Sequence, residues 1–440
     1  MDRQQLHPVF RQMPDDWPIL RIDDLFTIQQ GKQVSARQRD GNRQRPFLRT
    51  RNVYWGRLDL RDLDAMHFSE EDEQRLRLLP GDLLTCEGGW VGRTALWNGE
   101  AKNCLYQNHL HRLRRFSPDL DPRFALYWLW YAFEIGEVYF GRHNVTTIPN
   151  LSKSRLGELP MPSPEASEQR GIATVLSRVQ RAIERQERML ALTDELKRTL
   201  FHKLFTEGTR GEPLQQTDLG PMPQSWEVKS VGDVCKLISG GTPSKANPTF
   251  WNGTIPWVSP KDMKQSRLYD AEDHISQTGL DEGSRLVPAG SVFVVIRGMI
   301  LIRDVPIALA AVPMAFNQDL KALVANDRIS PDFLLYSLQR SRELLLQKVG
   351  SSAHGTRTLM TTTLEELPIG IPGDSEQHLI SQALKLAEAK EIIHRRTQER
   401  LQELFRTLLH QLMTAQIRVH DVDLSKLETQ IVAREPAGAA

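Results

Sequence analysis

Nine basic side chains crowd one stretch of this chain: Lys32, Arg37, Arg39, Arg43, Arg45, Arg49, Arg51, Arg57 and Arg61 stand against only Asp40 and Asp59. Asn42, Gln44, Asn52, Tyr54 and Trp55 are interleaved with them. Guanidinium groups hold phosphate oxygens and amides match the donor and acceptor pattern of base edges, so the mixture suits nucleic-acid contact. Lys32, Arg43, Arg45, Arg49 and Arg51 are the candidates; a solvated arginine-rich loop is the plain alternative. A thinner set comes later: Thr242, Ser244, Lys245, Lys261, Lys264 and Arg267, then Arg297 beside Gly298, and His354 and Arg357 in one short phrase. Arg297 ends an apolar run beside a residue that permits close backbone approach, which places it near a ligand rather than in a core ion pair.

Motifs for catalysis are missing. There is no G-x-x-x-x-G-K-[ST] phosphate cradle, no G-x-G-x-x-G turn and no G-x-S-x-G elbow. His109 and His111 alternate along one strand with Cys104 nearby, but an isolated His-x-His pair is ordinary structure more often than a metal site. The expectation is a chain that catalyses nothing and holds no metal or cofactor.

These candidates need elements to position them, and the strongest is a helix. Ser167–Leu204 contains no proline, and its one glycine lies in the first turn. At a spacing of 4, 3, 4, 3 it reads Ile172, Leu176, Val179, Ile183, Gln186, Leu190, Thr193, Lys197, Leu200 and Leu204, the narrow stripe of a coiled-coil seam. The pattern returns 208 residues later at Ile380, Leu384, Ala387, Glu391, His394, Gln398, Leu401, Phe405, Leu408 and Leu412. Both helices open with Ser-Glu-Gln, at Ser167 and Ser375, and both come after a Leu-Pro phrase, at Leu159 and Leu367. A shared register with a shared flank indicates duplication.

The repeat extends through the rest of the chain. Met13-Pro14-Asp15-Asp16-Trp17 answers Met222-Pro223-Gln224-Ser225-Trp226, Gly31 answers Gly240, and the octet from Pro122 answers that from Pro331. Between these anchors the halves diverge, as two copies of one frame with different surfaces would. Short β-rich runs (291–296, 305–309, 321–324) bounded by Pro, Gly and Asn give way to helices at Pro122 and Pro331. The expected fold class is α+β, with two α/β globules and two long antiparallel helices. Expected boundaries are 1–160, a helix over 161–207, a linker over 208–221, a second globule over 222–372, a second helix over 373–415 and a tail over 416–440.

A chain of 440 residues with a net charge of +1 suits two or more domains, and any basic patch must be local. Three widely spaced cysteines suggest a reducing compartment. The first residues lack a signal peptide's apolar core and no apolar window suits a bilayer, so a cytoplasmic protein is expected.

The order of globule, Leu-Pro exit, Ser-Glu-Gln helix, linker, second globule and second helix resembles the specificity subunit of type I restriction-modification systems. KLFTEGTRGE (203–212), GGTPS (240–244), SVFVVIRGMI (291–300) and LEELPIGIPGDSEQ (364–377) carry the likeness. The first globule departs from it in lacking the Gly241-Thr242-Pro243 phrase. The resemblance implies two target-recognition domains, each reading half of a split double-stranded DNA target, and spacer helices packed antiparallel. It further implies two modification subunits methylating adenine with S-adenosylmethionine, and restriction subunits using ATP and magnesium. A methyltransferase-only system and, from another class, a coiled-coil protein tether are the alternatives.

On this reading a spacer of about 57 Å, from 1.5 Å per residue, acts as a ruler. Half-sites should lie roughly 10 bp apart on one DNA face. Antiparallel pairing about the helix centres sets partner numbers summing to about 584 by the seam geometry, so that Gln186 faces Gln398 and Leu190 faces His394. Lys197 then lies opposite Ala387, within reach of Glu391.

Overall fold

A computed structural model of the chain describes residues 2–35, 41–139, 150–351 and 355–423. The chain divides into two compact units, Met1–Met189 with Ile393–Ala440, and Leu190–Ile392.

In the first unit the main sheet comprises β1 (Phe26–Gln30), β2 (Leu83–Cys86), β3 (Thr94–Leu96) and β4 (Leu110–Arg115), in the order β1-β4-β2-β3 and antiparallel throughout. Every residue of β2 is buried, which is why it reads as a continuous apolar run rather than an alternating one. A smaller sheet centres on Gln44–Leu48, flanked by Asp64–His67 and Leu105–Tyr106. Helix α1 (Pro122–Trp130) starts with proline in its first turn and with Asp121 capping the Arg123 amide. Its buried Phe124, Tyr127 and Trp128 join Trp17, Phe10 and Phe26 in the core. The long helix α2 (Ala166–Thr206) comes next.

The second unit repeats the plan with β5 (Cys235–Ser239), β6 (Arg267–Leu268), β7 (Val292–Val295), β8 (Ile307–Ala310) and β9 (Leu320–Ala325), ordered β5-β9-β7-β8-β6. Its smaller sheet has four strands, centred on Ile255–Val258 and Met314–Phe316. Helix α3 (Pro331–Arg340) is capped by Ser330, and α4 (Asp374–Met413) is the second long helix.

The recurring phrases do the same job twice. Strand Ile19–Arg21 pairs with Pro160–Pro162, and Glu227–Ser230 pairs with Pro368–Ile371, so each Leu-Pro phrase leads into a strand that joins a globule's exit to its entry. In each Ser-Glu-Gln the glutamine is buried and docks the long helix on the globule. Gln169 accepts from the Asp121 amide at 2.9 Å and donates to the Pro164 carbonyl at 2.7 Å. Gln377 accepts from the Ser330 amide at 2.8 Å and donates to the Pro372 carbonyl at 3.1 Å. Both glutamines thus address the cap of a domain helix.

Within the first unit the apolar end of the seam is buried: Ile172, Leu176 and Val179 on α2, and Leu401, Phe405, Leu408 and Leu412 on α4. Gln186 Oε1 lies 2.8 Å from His394 Nδ1, and both side chains are buried. Sequence symmetry sets Gln186 opposite Gln398; its bonded partner is instead His394, one turn away on the same face. A seam side chain sits between partner residues of successive turns, and here the imidazole is the group that meets the amide. Within the second unit Ile380 and Leu384 are buried, and Lys197 Nζ lies 2.9 Å from Glu391. Leu190 is half-buried.

The segments read as linker and tail carry local structure among the described residues, while the end from Pro436 lies outside them. The stretch read as a linker forms a hairpin, Leu214–Thr217 against Gly220–Pro223, and Gln215 Nε2 ties it down by donating to the carbonyls of Pro223 and Trp226. The tail from 416 makes a short 3-10 helix, Val419–Asp421, held by Arg418. Arg418 donates to Glu168 at 3.1 Å and to Asp16 at 2.9 Å. Both segments come directly after a long helix. Among the described residues no helix is long and apolar enough to cross a membrane.

Candidate nucleic-acid interface

The arginine-rich stretch is charge-balanced by a run of carboxylates immediately C-terminal to it. The stretch from 32 to 61 ends just before Asp62, Asp64, Glu70, Glu71, Asp72 and Glu73. Strand Asp64–His67 pairs beside Gln44–Leu48, and helix Glu70–Leu76 comes next, which brings those carboxylates onto the arginines. Lys32 Nζ lies 2.7 Å from Asp72 and bonds the His67 carbonyl. Arg43 reaches Glu70 at 2.6 Å and Glu73 at 3.0 Å, while Arg45 reaches Glu73 at 3.0 Å. Arg49 pairs with Asp64, and Arg51 lies 2.6 Å from Asp62. All five candidate cations of the first half are therefore paired within the unit: Lys32, Arg43 and Arg45 with the helix, and Arg49 and Arg51 with Asp64 and Asp62 before it. Burial by itself would raise the Asp72 carboxyl, but the hydrogen bonds from Lys32, Arg75 and Ser69 outweigh it and bring the pKa down to about 2.

The second-half candidates divide. Lys261 pairs with Glu272 at 3.2 Å and Asp273 at 2.9 Å. Arg267 is tied to Asp332 at 2.6 Å and to the Tyr336 hydroxyl at 3.3 Å. The Thr242 hydroxyl bonds Gln318. Lys245 and Arg297 are exposed, with no ion pair among the described residues. Arg357 donates to the Ser351 hydroxyl at 2.7 Å. His354 lies outside the described residues.

Arg297 leads to a site that recurs in both units, at one end of the main sheet. In the first, β1 runs out at Gln30, β2 at Cys86, and β4 begins at Leu110, all side by side. Gln30 Nε2 donates to Glu87 and to the Asn108 carbonyl, each at 3.0 Å. The Glu87 amide donates to the His109 carbonyl, and the Leu151 amide donates to the Glu87 carbonyl at 2.8 Å. In the second unit the Ile296 and Arg297 amides donate to the Asp319 carbonyl, and the Leu359 amide donates to the Ile296 carbonyl at 2.8 Å. Leu113 pairs with Leu83 and Leu323 with Val292, so the registers correspond, and Ile296 stands where Glu87 does.

The backbone frame is thus the same while the side chains on it differ: Glu87, Asn108 and His109 in one unit, Arg297, Gln318 and Asp319 in the other. The Asn317 side-chain amide donates to Asp319 at 3.2 Å, and His109 Nδ1 lies 4.0 Å from Glu87 with the imidazole more than half exposed. His111 is different in kind. It is buried, with Nε2 on the Leu151 carbonyl at 2.9 Å, and burial lowers its pKa. Cys104 is buried too, which pushes its thiol up to about 12. Among the described residues no cluster of three or more His, Cys, Asp or Glu could hold a metal.

Asn108, Glu87, Gln318 and Asp319 are not singled out by the sequence pattern. Extending the repeat past its matched phrases would find them, because Asn108 and His109 correspond to Gln318 and Asp319 across the two β4-like strands.

The family model described as "Type I restriction modification DNA specificity domain" matches twice, over residues 14–192 and 223–403. The chain is 29% identical over 265 residues to the Type I restriction enzyme EcoR124I/EcoR124II specificity subunit of Escherichia coli. That alignment covers 60% of this chain and 62% of the relative, so less than two thirds of the relative's length is spanned. A putative type I restriction enzyme MjaX specificity subunit of Methanocaldococcus jannaschii is 21% identical over 416 residues, covering 93% of this chain and 95% of that one. The fold is similar to the crystal structure of the type I restriction-modification S subunit from M. genitalium, with a TM-score of 0.60, 18% identity and coverage of 94% of this chain and 97% of that one. With both copies matched and both units built on one frame, the chain belongs to the type I restriction modification DNA specificity domain family.

Proposed function

We propose that this chain is a non-catalytic subunit that recognises a bipartite double-stranded DNA target, one half through each unit. In this reading it directs two modification subunits, which methylate adenine with S-adenosylmethionine, and restriction subunits, which use ATP and magnesium. Those groups belong to the partners. The observation that carries the reading is the repeated sheet end, where corresponding amides make corresponding bonds but the side chains presented are Asn108 and His109, beside the buried Glu87, in one unit and Arg297, Gln318 and Asp319 in the other. A constant frame with variable donors and acceptors is what reading two different half-sites requires, since each base pair shows its own donor and acceptor pattern in the major groove. Lys245 and Arg297, exposed and without ion pairs among the described residues, supply charge for phosphates or guanine.

The test is to map adenine methylation genome-wide in cells with the chain, without it, and with residues 17–155 replaced by the matching segment of a relative. A bipartite motif should vanish without the chain, and the chimera should change one half of it. Unchanged methylation in all three would overturn the proposal. Binding of a target duplex should weaken steeply as salt rises, because phosphate contacts release counterions; association that ignores salt and DNA would favour a protein tether.

A further inference from the structure

The turn after the buried central strand carries an exposed apolar side chain in both units, and this feature goes beyond the polar sheet end. Sheet register makes Cys86 equivalent to Val295. Gly89 is therefore equivalent to Gly298, and Trp90 to Met299. Both glycines have positive φ, +73° and +141°, which a side-chain-bearing residue rarely adopts. The side chains that follow them, Trp90 and Met299, are each 61% exposed. A single exposed apolar residue is ordinary on a protein surface. Two at the same place in a duplicated frame whose surfaces have otherwise diverged are not explained that way.

Their neighbours indicate what they meet. The Arg93 guanidinium stacks on the Trp90 ring at 4.1 Å and faces Tyr54 at 5.3 Å, and Arg57 covers Tyr54 at 5.2 Å. Arg93 has no ion pair with a carboxylate among the described residues, so its charge is not neutralised within the unit. In the second unit Arg297, exposed and likewise without an ion pair among the described residues, lies two residues before Met299. An apolar tip beside an arginine with no carboxylate is complementary to a DNA duplex, where an inserted side chain meets a base step and the cation meets the flanking phosphates.

We infer that Trp90 and Met299 are apolar wedges that enter the DNA at one base step in each half-site. The inference rests on the DNA reading above and adds a contact to it. In the first unit Arg93 braces the wedge, fixing the ring from one face and leaving the other for a base.

The experiment uses the full-length chain and a duplex carrying the methylated motif, with 2-aminopurine, which brightens when unstacked, placed at successive positions of both half-sites. The unmutated chain should brighten one position in each half. Trp90→Ala should abolish the signal in one half and weaken binding by about tenfold, the scale of one lost aromatic–base contact. Met299→Ala should abolish the signal in the other half, and Trp90→Phe should retain it. Thermal melting of the free proteins should be unchanged, since the side chains are exposed; if the alanine variant melts early, Trp90→Gln repeats the test at greater bulk. If the unmutated chain binds the duplex and the alanine and glutamine variants bind it equally tightly with equal brightening, the wedge is wrong. If the unmutated chain binds no duplex in a salt-sensitive way, the DNA reading itself has failed.

Discussion

Arg418 donates from Nε to Glu168 at 3.1 Å across 250 residues of chain, and in the second unit Glu376 has the corresponding task with Thr209 and Arg210. Each glutamate opens one long helix and holds the segment that leaves the other. Glu376 accepts from the Thr209 amide at 2.7 Å, its hydroxyl at 2.9 Å and Trp226 Nε1 at 3.3 Å, with its side chain 1% exposed, against 10% for Glu168. Glu376→Ala should therefore cost about 1–3 kcal/mol, because buried donors lose a charged acceptor. Glu168→Ala should cost less, and truncation after Met413 should destabilise at least as much as Glu168→Ala. Thermal melting of the three variants checks the order.

The repeat was legible because its anchors are structural. Trp17 and Trp226 each pack edge-on against a phenylalanine of a domain helix, the two Leu-Pro phrases each lead into the same strand pairing and the glutamines of the two Ser-Glu-Gln phrases make the same bonds, and contacts of that kind preserve residue type. The ion pairs of the arginine-rich stretch were not legible for an equally physical reason: the carboxylates that pair with Arg43 and Arg49 lie on a helix and a strand some 15–30 residues on, and pairing across elements leaves no mark in local composition. Trp90 and Glu87 escaped notice because a hairpin tip has no periodicity. Only the sheet register showed them to be counterparts of Met299 and Ile296.

Arg49 and Arg297 should consequently respond to mutation in opposite ways. Arg49→Ala takes from half-buried Asp64 the closer of its two cations, leaving Arg51 at 3.7 Å, and should lower the melting temperature, with little effect on DNA affinity per folded molecule. Arg297→Ala should leave the melting temperature unchanged and cost about 1–3 kcal/mol at the cognate site, with relaxed discrimination at one base. A filter-binding series alongside melting curves separates the two. The same cost on every sequence tested would instead make Arg297 a phosphate contact.

Asp72 gives a pH prediction whose sign is fixed. Its carboxyl is held at about 2 in the folded chain by Lys32, Arg75 and Ser69 against the opposing effect of burial, compared with an ordinary value of 3.8. A depressed folded value means that the contribution is fully present above pH about 4 and is lost as pH falls through about 2. The first unit should lose stability across that window, and Asp72→Asn should remove part of the loss while lowering stability at neutral pH. Urea unfolding at several pH values between 2 and 7 checks it. Identical slopes for both proteins would show that Asp72 does not contribute.

Gln186 and His394 test what a buried polar pair does inside an apolar seam. The hydrogen bond at 2.8 Å is between side chains only 3% exposed, and its net contribution should be modest, about 0.5–1.5 kcal/mol, because each group gave up water to make it. Removing one side of the pair is another matter. Gln186→Leu takes the amide from a buried imidazole nitrogen and should cost about 1–3 kcal/mol. Replacing both with leucine removes the need for a partner and extends the apolar contacts of Val179 and Leu401 along the helices. The double variant should then be as stable as the unmutated chain or more so, as when buried polar groups are exchanged for apolar ones of similar volume. The two single costs would not add, and the coupling measured by a double-mutant cycle would be favourable to the native pair. The purpose of keeping the pair would then be register: an antiparallel seam of leucines alone can slide by a turn, whereas an amide and an imidazole meet at one setting. Methylation by the double variant at targets with altered spacer length is the functional readout. Additive single costs, or a double variant that is both less stable and no less selective for spacer length, would show that the pair does not set the register.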